Sequence, residues 1–368
     1  STVLACVRVI ANGVAQVPFH LIHEEERRRT VVYEGLGGLL YRRPNGWQTS
    51  FEFRETVMYH VLLTGNAFVF VNRVGIDRKI KELIPIEPGR VEVKQNPDYS
   101  LSYAVRSKTG DSQVFGQDAI WHLRGPSWNT WMGLEQVKLA REAIGLTIAI
   151  EQGQAEFQKN GAGASGALSM TTKLSPERFD FLAAWLDKHL PGGERFGKPL
   201  IIDDGAKFAS MVMSNIDAQM IESRKLQIEE ICREFGVMPI MVGYSDKAAT
   251  YASAEQMFIA HVVHTLEPWY QRMQQSADVN LLTEDDRRSG FYTRLKDNAL
   301  MRGAAKDRAE YYAKGLGSGG VKGWLTQNDV RGYEDLDPST DPEADKLPQP
   351  TNSPSPTPAN PTGDDSDV

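Results

Sequence analysis

Apolar residues recur at helical spacing at Val3, Val7, Ile10 and Val14, which predicts a helix over Thr2 to Gln16. Pro18 stops it ahead of a short strand around Phe19 to His23, and Glu24 to Arg29 reads as a solvated hairpin turn. A second helix is predicted from Ser50, taken as its cap, to Thr64, with Phe51, Phe53, Val57 and Val61 inward and Gly65-Asn66 as its end. Strand patterns follow at Ala67 to Val71, Lys81 to Ile86, Arg90 to Lys94, Leu101 to Val105 and Ala119 to Leu123, separated by Gly, Pro, Asn and Asp turns. Residues 1–132 therefore read as one α+β unit.

From Gly133 the period changes. Leu134, Val137, Ala140, Ile144 and Ile148 predict one helix of about seven turns, ending at Asn160-Gly161. Ser175-Pro176-Glu177 opens a helix with Phe179, Leu182, Trp185 and Leu186 on one face, closed by Pro191-Gly192-Gly193. With the strands flanking Asp203-Asp204-Gly205, residues 161–213 form a small β-α-β-β insertion. A second long helix, within 214–236, sets Met220, Ile221, Ile228, Ile231, Cys232 and Phe235 against a face of mixed charges. It runs into Gly236-Val237-Met238-Pro239-Ile240-Met241-Val242-Gly243, a mobile loop broken by glycine and proline. Ser253 to Gln256 resembles a capping box opening a helix to about Leu282, and Pro268 inside it predicts a kink. The pattern ends with a strand over Phe291 to Leu295, a helix capped by Asp297 that runs to about Lys314, a flexible link over Gly315 to Gly320, and a short helix started by Thr326-Gln327-Asn328-Asp329. A long helix, a short loop and a kinked helix make a mechanical element, which points away from an enzyme.

Charge changes the picture only at the C-terminal end. The chain of 368 residues carries −7. Seven acids against the single base Lys346 give −6 to residues 337–368, which leaves −1 for residues 1–336. The near-neutral body predicts only weak contact with nucleic acid, whose phosphates call for a basic excess. The tail, rich in Pro, Ser, Thr, Asn and Asp, is expected to be disordered. No apolar run approaches the ~20 residues of a membrane span, and no signal peptide opens the chain. Ser1 in place of a methionine predicts a preceding segment. Cys6 and Cys232 lie in apolar helical patterns and read as buried free thiols of a reducing cytoplasm, not as a disulfide.

Candidate chemistry adds little. Gly161, Gly163 and Gly166, and again Gly315, Gly317 and Gly320, match a dinucleotide spacing but follow helices, where phosphates find no helix N-terminus. Gly193 to Pro199 lacks the spacing and the Ser/Thr of a phosphate loop, so no ATP hydrolysis and no cofactor are expected. His261 and His264, near Glu267, have no second cluster to complete a metal site, so none is predicted. His122 lacks a nucleophile context and reads as a strand-end histidine satisfied by backbone groups. No catalytic residue is assigned. The aromatics lie in core patterns instead of among Arg and Lys, so a stacking platform for single strands is not expected.

Several segments together resemble one family. They are Cys6 to Asn12 ahead of Pro18; Leu63 with Gly65-Asn66-Ala67-Phe68; Leu83 to Pro88; Ile120-Trp121-His122; and Phe157 with Asn160-Gly161-Ala162. Further along come Ile231 with Phe235-Gly236-Val237 and Pro239; Leu266-Glu267-Pro268; and Leu325 to Arg331. In this order they are similar to tailed-bacteriophage portal (head-tail connector) proteins of the HK-ninety-seven type, over roughly Val3 to Asp337. The family's last motif has proline and glutamate where this chain has Gln327 and Asp329.

The resemblance implies a portal fold: an α/β wing (1–132), stem helices (133–160 and 214–236), a clip (161–213), a tunnel-loop region (237–252), a kinked helix and return strand (253–296), a helical crown (297–336) and the tail (337–368). It implies a homo-oligomeric ring, dodecameric in the family, at one capsid vertex. Double-stranded DNA would be packaged and ejected through its channel, and the terminase large subunit, a head-tail adaptor and the major capsid protein would be its partners. It places the chain in the virion, and in the host cytoplasm during assembly. Gly243, Tyr244, Ser245, Asp246 and Lys247 would be the channel loop, with hinges at Gly236, Pro239 and Pro268. Clip docking and subunit contacts would fall to Arg178, Phe179, Leu182, Trp185, Leu186, Lys188, Arg195 and Lys198. The competing readings are a nucleotide-dependent DNA-processing enzyme and a monomeric α+β binding protein.

Overall fold

The computed structural model describes residues 1–25, 28–107, 109–159, 166–169, 175–188, 207–210, 216–244, 251–296, 305–318, 322–334, 336 and 338–348. The chain opens with helix α1 (Thr2–Ala15), hairpin β1 (Phe19–Glu25) and β2 (Arg28–Val32), and helices α2 (Leu36–Tyr41) and α3 (Ser50–Thr64). Six strands follow: β3 (Asn66–Val74), β4 (Lys79–Ile86), β5 (Val91–Gln95), β6 (Leu101–Arg106), β7 (Ser112–Gly116) and β8 (Ile120–Arg124). Next come α4 (Gln136–Leu139), α5 (Arg141–Lys159), β9 (Gly166–Ser169), α6 (Pro176–Asp187), β10 (Lys207–Ser210) and α7 (Ile216–Phe235). The last part holds α8 (Tyr251–His261), α9 (Glu267–Leu281), α10 (Glu284–Arg288), β11 (Phe291–Leu295), α11 (Ala305–Gly315) and α12 (Gln327–Tyr333).

The strands form small antiparallel sheets in the orders β11-β1-β2, β4-β3-β8, β5-β6-β7 and β10-β9. The main core closes around α1, whose Cys6, Val7, Ile10, Ala11 and Val14 are fully buried against α3, β3, the end of α7 and α9. A smaller cluster of Phe68, Leu101, Tyr103 and Ile120 joins the β5-β6-β7 sheet to the other face of β3 and β8. The main core is thus assembled from both ends of the sequence: β11 pairs with β1, and Tyr270, Met273 and Ala277 of α9 fill the space under β8.

Several boundaries differ from expectation. The helix predicted from Leu134 is not continuous, because α4 ends at Leu139 and α5 restarts at Arg141 around the buried Ala140. Thr49 rather than Ser50 caps α3: its hydroxyl accepts from Glu52 N while the Glu52 carboxylate accepts from Thr49 N at 2.7 Å. Ser50 lies inside the helix, where its hydroxyl donates to Leu40 O. Phe51 is exposed, because a step of two residues from Phe53 turns it about 200° around the axis. Ser253 sits inside α8, which already begins at Tyr251. Gly315 is no loose link, since its carbonyl accepts from both Trp324 N and Leu325 N and its α-carbon lies against the Leu325 side chain.

The tail also begins with structure. Asn328 holds residues 338–348 against α12: its amide nitrogen donates to Asp345 Oδ1 at 2.8 Å, its side-chain oxygen accepts from Ser339 N at 2.7 Å, and its backbone N donates to Ala344 O. Ala344 is buried by the turn this makes. The predicted cap Asp297 and the strand predicted just before Asp203 lie outside the described residues, whereas the strand after Gly205 is seen as β10. Among the described residues no helix is long and apolar enough to cross a membrane.

Candidate functional site

The segment of α4 and α5 leaves the main core at one root, and α7 returns to it at another. At the exit root, β3 starts and the chain departs from β8 through Gly125 and Gly133. Gly65 has φ +76°, and its carbonyl accepts from Gly125 N at 2.8 Å. A Cβ on Gly133 would lie 1.9 Å from Gly65 O, and one on Gly65 would lie 2.3 Å from Leu134 O, so two backbones cross with no room for a side chain.

Asn66 ties this crossing together. Its Oδ1 accepts from Gly133 N at 2.8 Å and from His122 Nε2 at 3.0 Å, and its amide nitrogen donates to Thr64 O at 3.1 Å. With Nε2 donating, Nδ1 of His122 is free to accept from the Tyr103 hydroxyl at 3.4 Å. His122 is therefore a buried neutral imidazole satisfied by side chains, not by backbone groups as expected. Burial, aided by the nearby Arg124, pushes its pKa down to about 3, and burial pushes Tyr103 up to about 12. Its protonation is suppressed and no nucleophile is within its hydrogen bonds, so the group serves as a strut.

At the return root, α7 ends in a Schellman motif: Val237 N donates to Cys232 O at 2.9 Å, Gly236 N donates to Arg233 O at 3.1 Å, and Gly236 takes φ +64°. A single 3-10 turn, Pro239–Val242, follows and closes the same way, with Tyr244 N donating to Pro239 O, Gly243 N to Ile240 O, and Gly243 at φ +82°. The predicted mobile loop is thus a compact double turn, with Met241 and Val242 packed on the main core. Gly236 and Gly243 occupy the two positions that require a left-handed backbone. Pro239 sits at the first position of the turn, where its missing N–H costs nothing.

The kink is absorbed upstream of its proline. Val262–Leu266 forms a π-helical turn, and Pro268 falls in the first turn of α9. Within this turn the Thr265 hydroxyl donates to Gly236 O at 2.6 Å, which joins the kinked helix to the end of α7. Leu266 lies over Gly13 of α1, so close that a Cβ there would meet its methyl carbons at 2.7 and 2.8 Å. Tyr270 OH donates to Gly13 O at 2.9 Å. Arg54 closes the end of the same helix: its guanidinium donates to Ala15 O at 2.6 Å and to Leu40 O at 3.3 Å. Burial brings Arg54 down to about 10, and the carbonyl end of α1 supplies the compensating partial charge.

The remaining predicted residues are scattered. Phe179 is exposed, Leu182 and Trp185 are half-buried, and Arg178 and Lys188 are exposed. Leu186 belongs to α6, and nothing is described of its side chain. Ser245, Asp246, Lys247, Arg195 and Lys198 lie outside the described residues. His261 is buried by α8 while His264 is exposed, and among the described residues no group of three or more His, Cys, Asp and Glu could hold a metal. Sequence reasoning missed Asn66, Thr265, Gly13 and Arg54; only Gly13, a glycine within a helical pattern, carried a local signal of close approach.

Residues 1–335 match the family described as phage portal protein. The chain belongs to the phage portal protein family. It is 28% identical over 343 residues to the portal protein of Enterobacteria phage HK97, covering 92% of this chain and 79% of that one. It is 27% identical over 365 residues to a probable portal protein of Streptomyces phage phiC31, covering 96% and 78%. Its fold is similar to a chain in the neck of a native gene transfer agent particle computed with C12 symmetry, with TM-score 0.64, 22% identity, and 92% and 91% of the two chains covered. The portal chain thus carries the fold class the sequence implied, and belongs to a family of structural proteins.

Proposed function

We propose that this portal protein forms a closed ring of twelve copies at one capsid vertex, through which double-stranded DNA is packaged and later leaves. The observation that carries this reading is a helical stem rooted twice in one rigid core yet left uncovered along its length. Leu146 and Ile148 on α5 and Leu226 on α7 are at least half exposed, and the stem's own cross-helix ion pair, Arg224 to Glu151 at 3.5 Å, lies at the surface. Neighbouring copies would cover this apolar surface, and the C12 neck of the similar gene transfer agent particle supports the same arrangement.

In this reading Phe179, Leu182, Trp185 and Leu186 pack the clip against adjacent subunits, while Arg178, Lys188, Arg195 and Lys198 face the terminase large subunit and later the head-tail adaptor. The major capsid protein would surround the wing. Gly243 to Lys247 would face the channel, where a body charge near −1 lets DNA slide instead of binding it. The protein would act as a mechanical part of the virion, first assembled in the host cytoplasm, with no catalytic step of its own.

Native mass spectrometry and negative-stain imaging of the purified chain test the reading. Closed rings are expected. A species of only about 41 kDa at micromolar concentration and moderate salt would overturn it.

A further inference from the structure

Cys6 and Cys232 stand 226 positions apart in sequence, yet their sulfurs are 3.8 Å apart in the main core. Both thiols are free, and both are buried. Cys6 lies on the face of α1 that anchors the main core. Cys232 lies in the last turns of α7, and its carbonyl closes the Schellman motif at the return root. A disulfide requires sulfurs about 2.0 Å apart, so the pair must close by about 1.8 Å.

We propose that Cys6 and Cys232 are an oxidative modification site: a hydroperoxide converts the dithiol into a disulfide that fastens α7 to α1. In the first step, written for Cys232 although either sulfur can begin, the thiolate attacks one peroxide oxygen, the O–O bond breaks, and Cys232 sulfenic acid and hydroxide form, the hydroxide taking up the proton the thiol released to leave as water. The Cys6 sulfur then attacks the Cys232 sulfur, the S–OH bond breaks, and the departing hydroxide takes up the Cys6 proton as a second water. Two thiols and hydrogen peroxide thus give one disulfide and two waters, and the two electrons lost by the sulfurs end on the peroxide oxygens.

Geometry sets the rate. Burial pushes both thiols up, Cys6 to about 12, so neither sulfur is an activated thiolate and either can react first. Access requires a local opening of the α1–α7 contact, so the first step is slow compared with an exposed thiol. The second is fast, because the resolving thiol already stands beside the sulfenic acid.

The test uses the full chain treated with hydrogen peroxide, quenched, unfolded and titrated with a maleimide. The expected result is loss of both thiols, an intact mass lower by about 2 Da, a cross-linked peptide containing residues 6 and 232, and a rise of several degrees in Tm. Dithiothreitol reverses all four. Cys232→Ala and Cys6→Ser should show none of them, and the wild-type mass decides the matter even if a variant folds poorly. Retention of both thiols under conditions that fully oxidise an exposed-cysteine control, disulfides between chains, or a gain of about 32 Da from sulfinic acid without the cross-link would each overturn the proposal.

Discussion

The two points where the α5 to α7 segment joins the core solve one problem by different means. At the exit root, backbone lies on backbone: Gly65 and Gly133 cross with no space for a Cβ, and Asn66 and His122 satisfy the polar groups that the crossing buries. At the return root, side chains do the fitting, with Leu266 on Gly13 and Thr265 on Gly236 beside the Cys6 and Cys232 sulfurs. Contacts between backbones have no slack, because neither partner has a rotamer to change. Contacts through side chains can yield by rotation. The structure therefore fixes where the chain leaves the core more rigidly than where α7 brings it back, and the double glycine turn after α7 sits on the side that can yield.

The largest expected effect is at the exit root. Gly133→Ala sets a methyl group 1.9 Å from Gly65 O, so it should cost upwards of about 4 kcal/mol and yield little folded protein, read by denaturant unfolding and soluble expression. A milder result would show that the crossing has slack after all.

Next is the response to acid. The folded pKa of His122 is depressed to about 3 from an ordinary 6.5, so its stabilising contribution is complete above about pH 6.5 and is lost as pH falls toward 3. His122→Gln should lose less stability than wild type over that window, by at most about 5 kcal/mol, when unfolding midpoints are compared pH by pH. Parallel pH profiles for the two chains would contradict the neutral strut.

At the return root the analogous glycine should be gentler. Gly13→Ala pushes against Leu266 methyls that can rotate, for a cost of about 1–3 kcal/mol with the fold retained. If it matches Gly133→Ala in severity, the contrast between the roots disappears. Smallest is Thr265→Val, which removes the bond to Gly236 O and should cost about 1 kcal/mol. Its specific sign would be faster hydrogen exchange at Gly236 and Val237, with the exit root unchanged.

What the sequence made legible was mostly what neighbouring residues decide. The helical period of α1, the strands β3 to β6 and β8, the start of α6 at Pro176 and the capping box of Thr326 with Asp329 all rest on signals within a few positions, whereas β7 was missed. The two turn glycines were readable for the same reason. Arg54 was not, because on a helix it looks like any solvated charge; its partners are carbonyls at Ala15 and Leu40 that only the fold brings near. A helix irregularity near Pro268 was legible but its form was not, since a π turn depends on what Thr265 and Leu266 meet across the core. Cys6 and Cys232 were readable as buried and unreadable as neighbours. The break at Ala140 likewise left no mark, because an unbroken apolar period ran through it.

Gly13 and Leu266 also constrain how such a chain can drift. A Cβ at position 13 is admissible only with a smaller group at 266, and a smaller group at 266 leaves a void over Gly13 until that Cβ arrives. Each single step crosses a valley of about 1–3 kcal/mol, comparable with the margin of a whole domain once one or two such losses accumulate. The two positions should therefore change together or not at all, and a descendant with alanine at 13 and valine at 266 would record a compensated double step rather than two neutral ones.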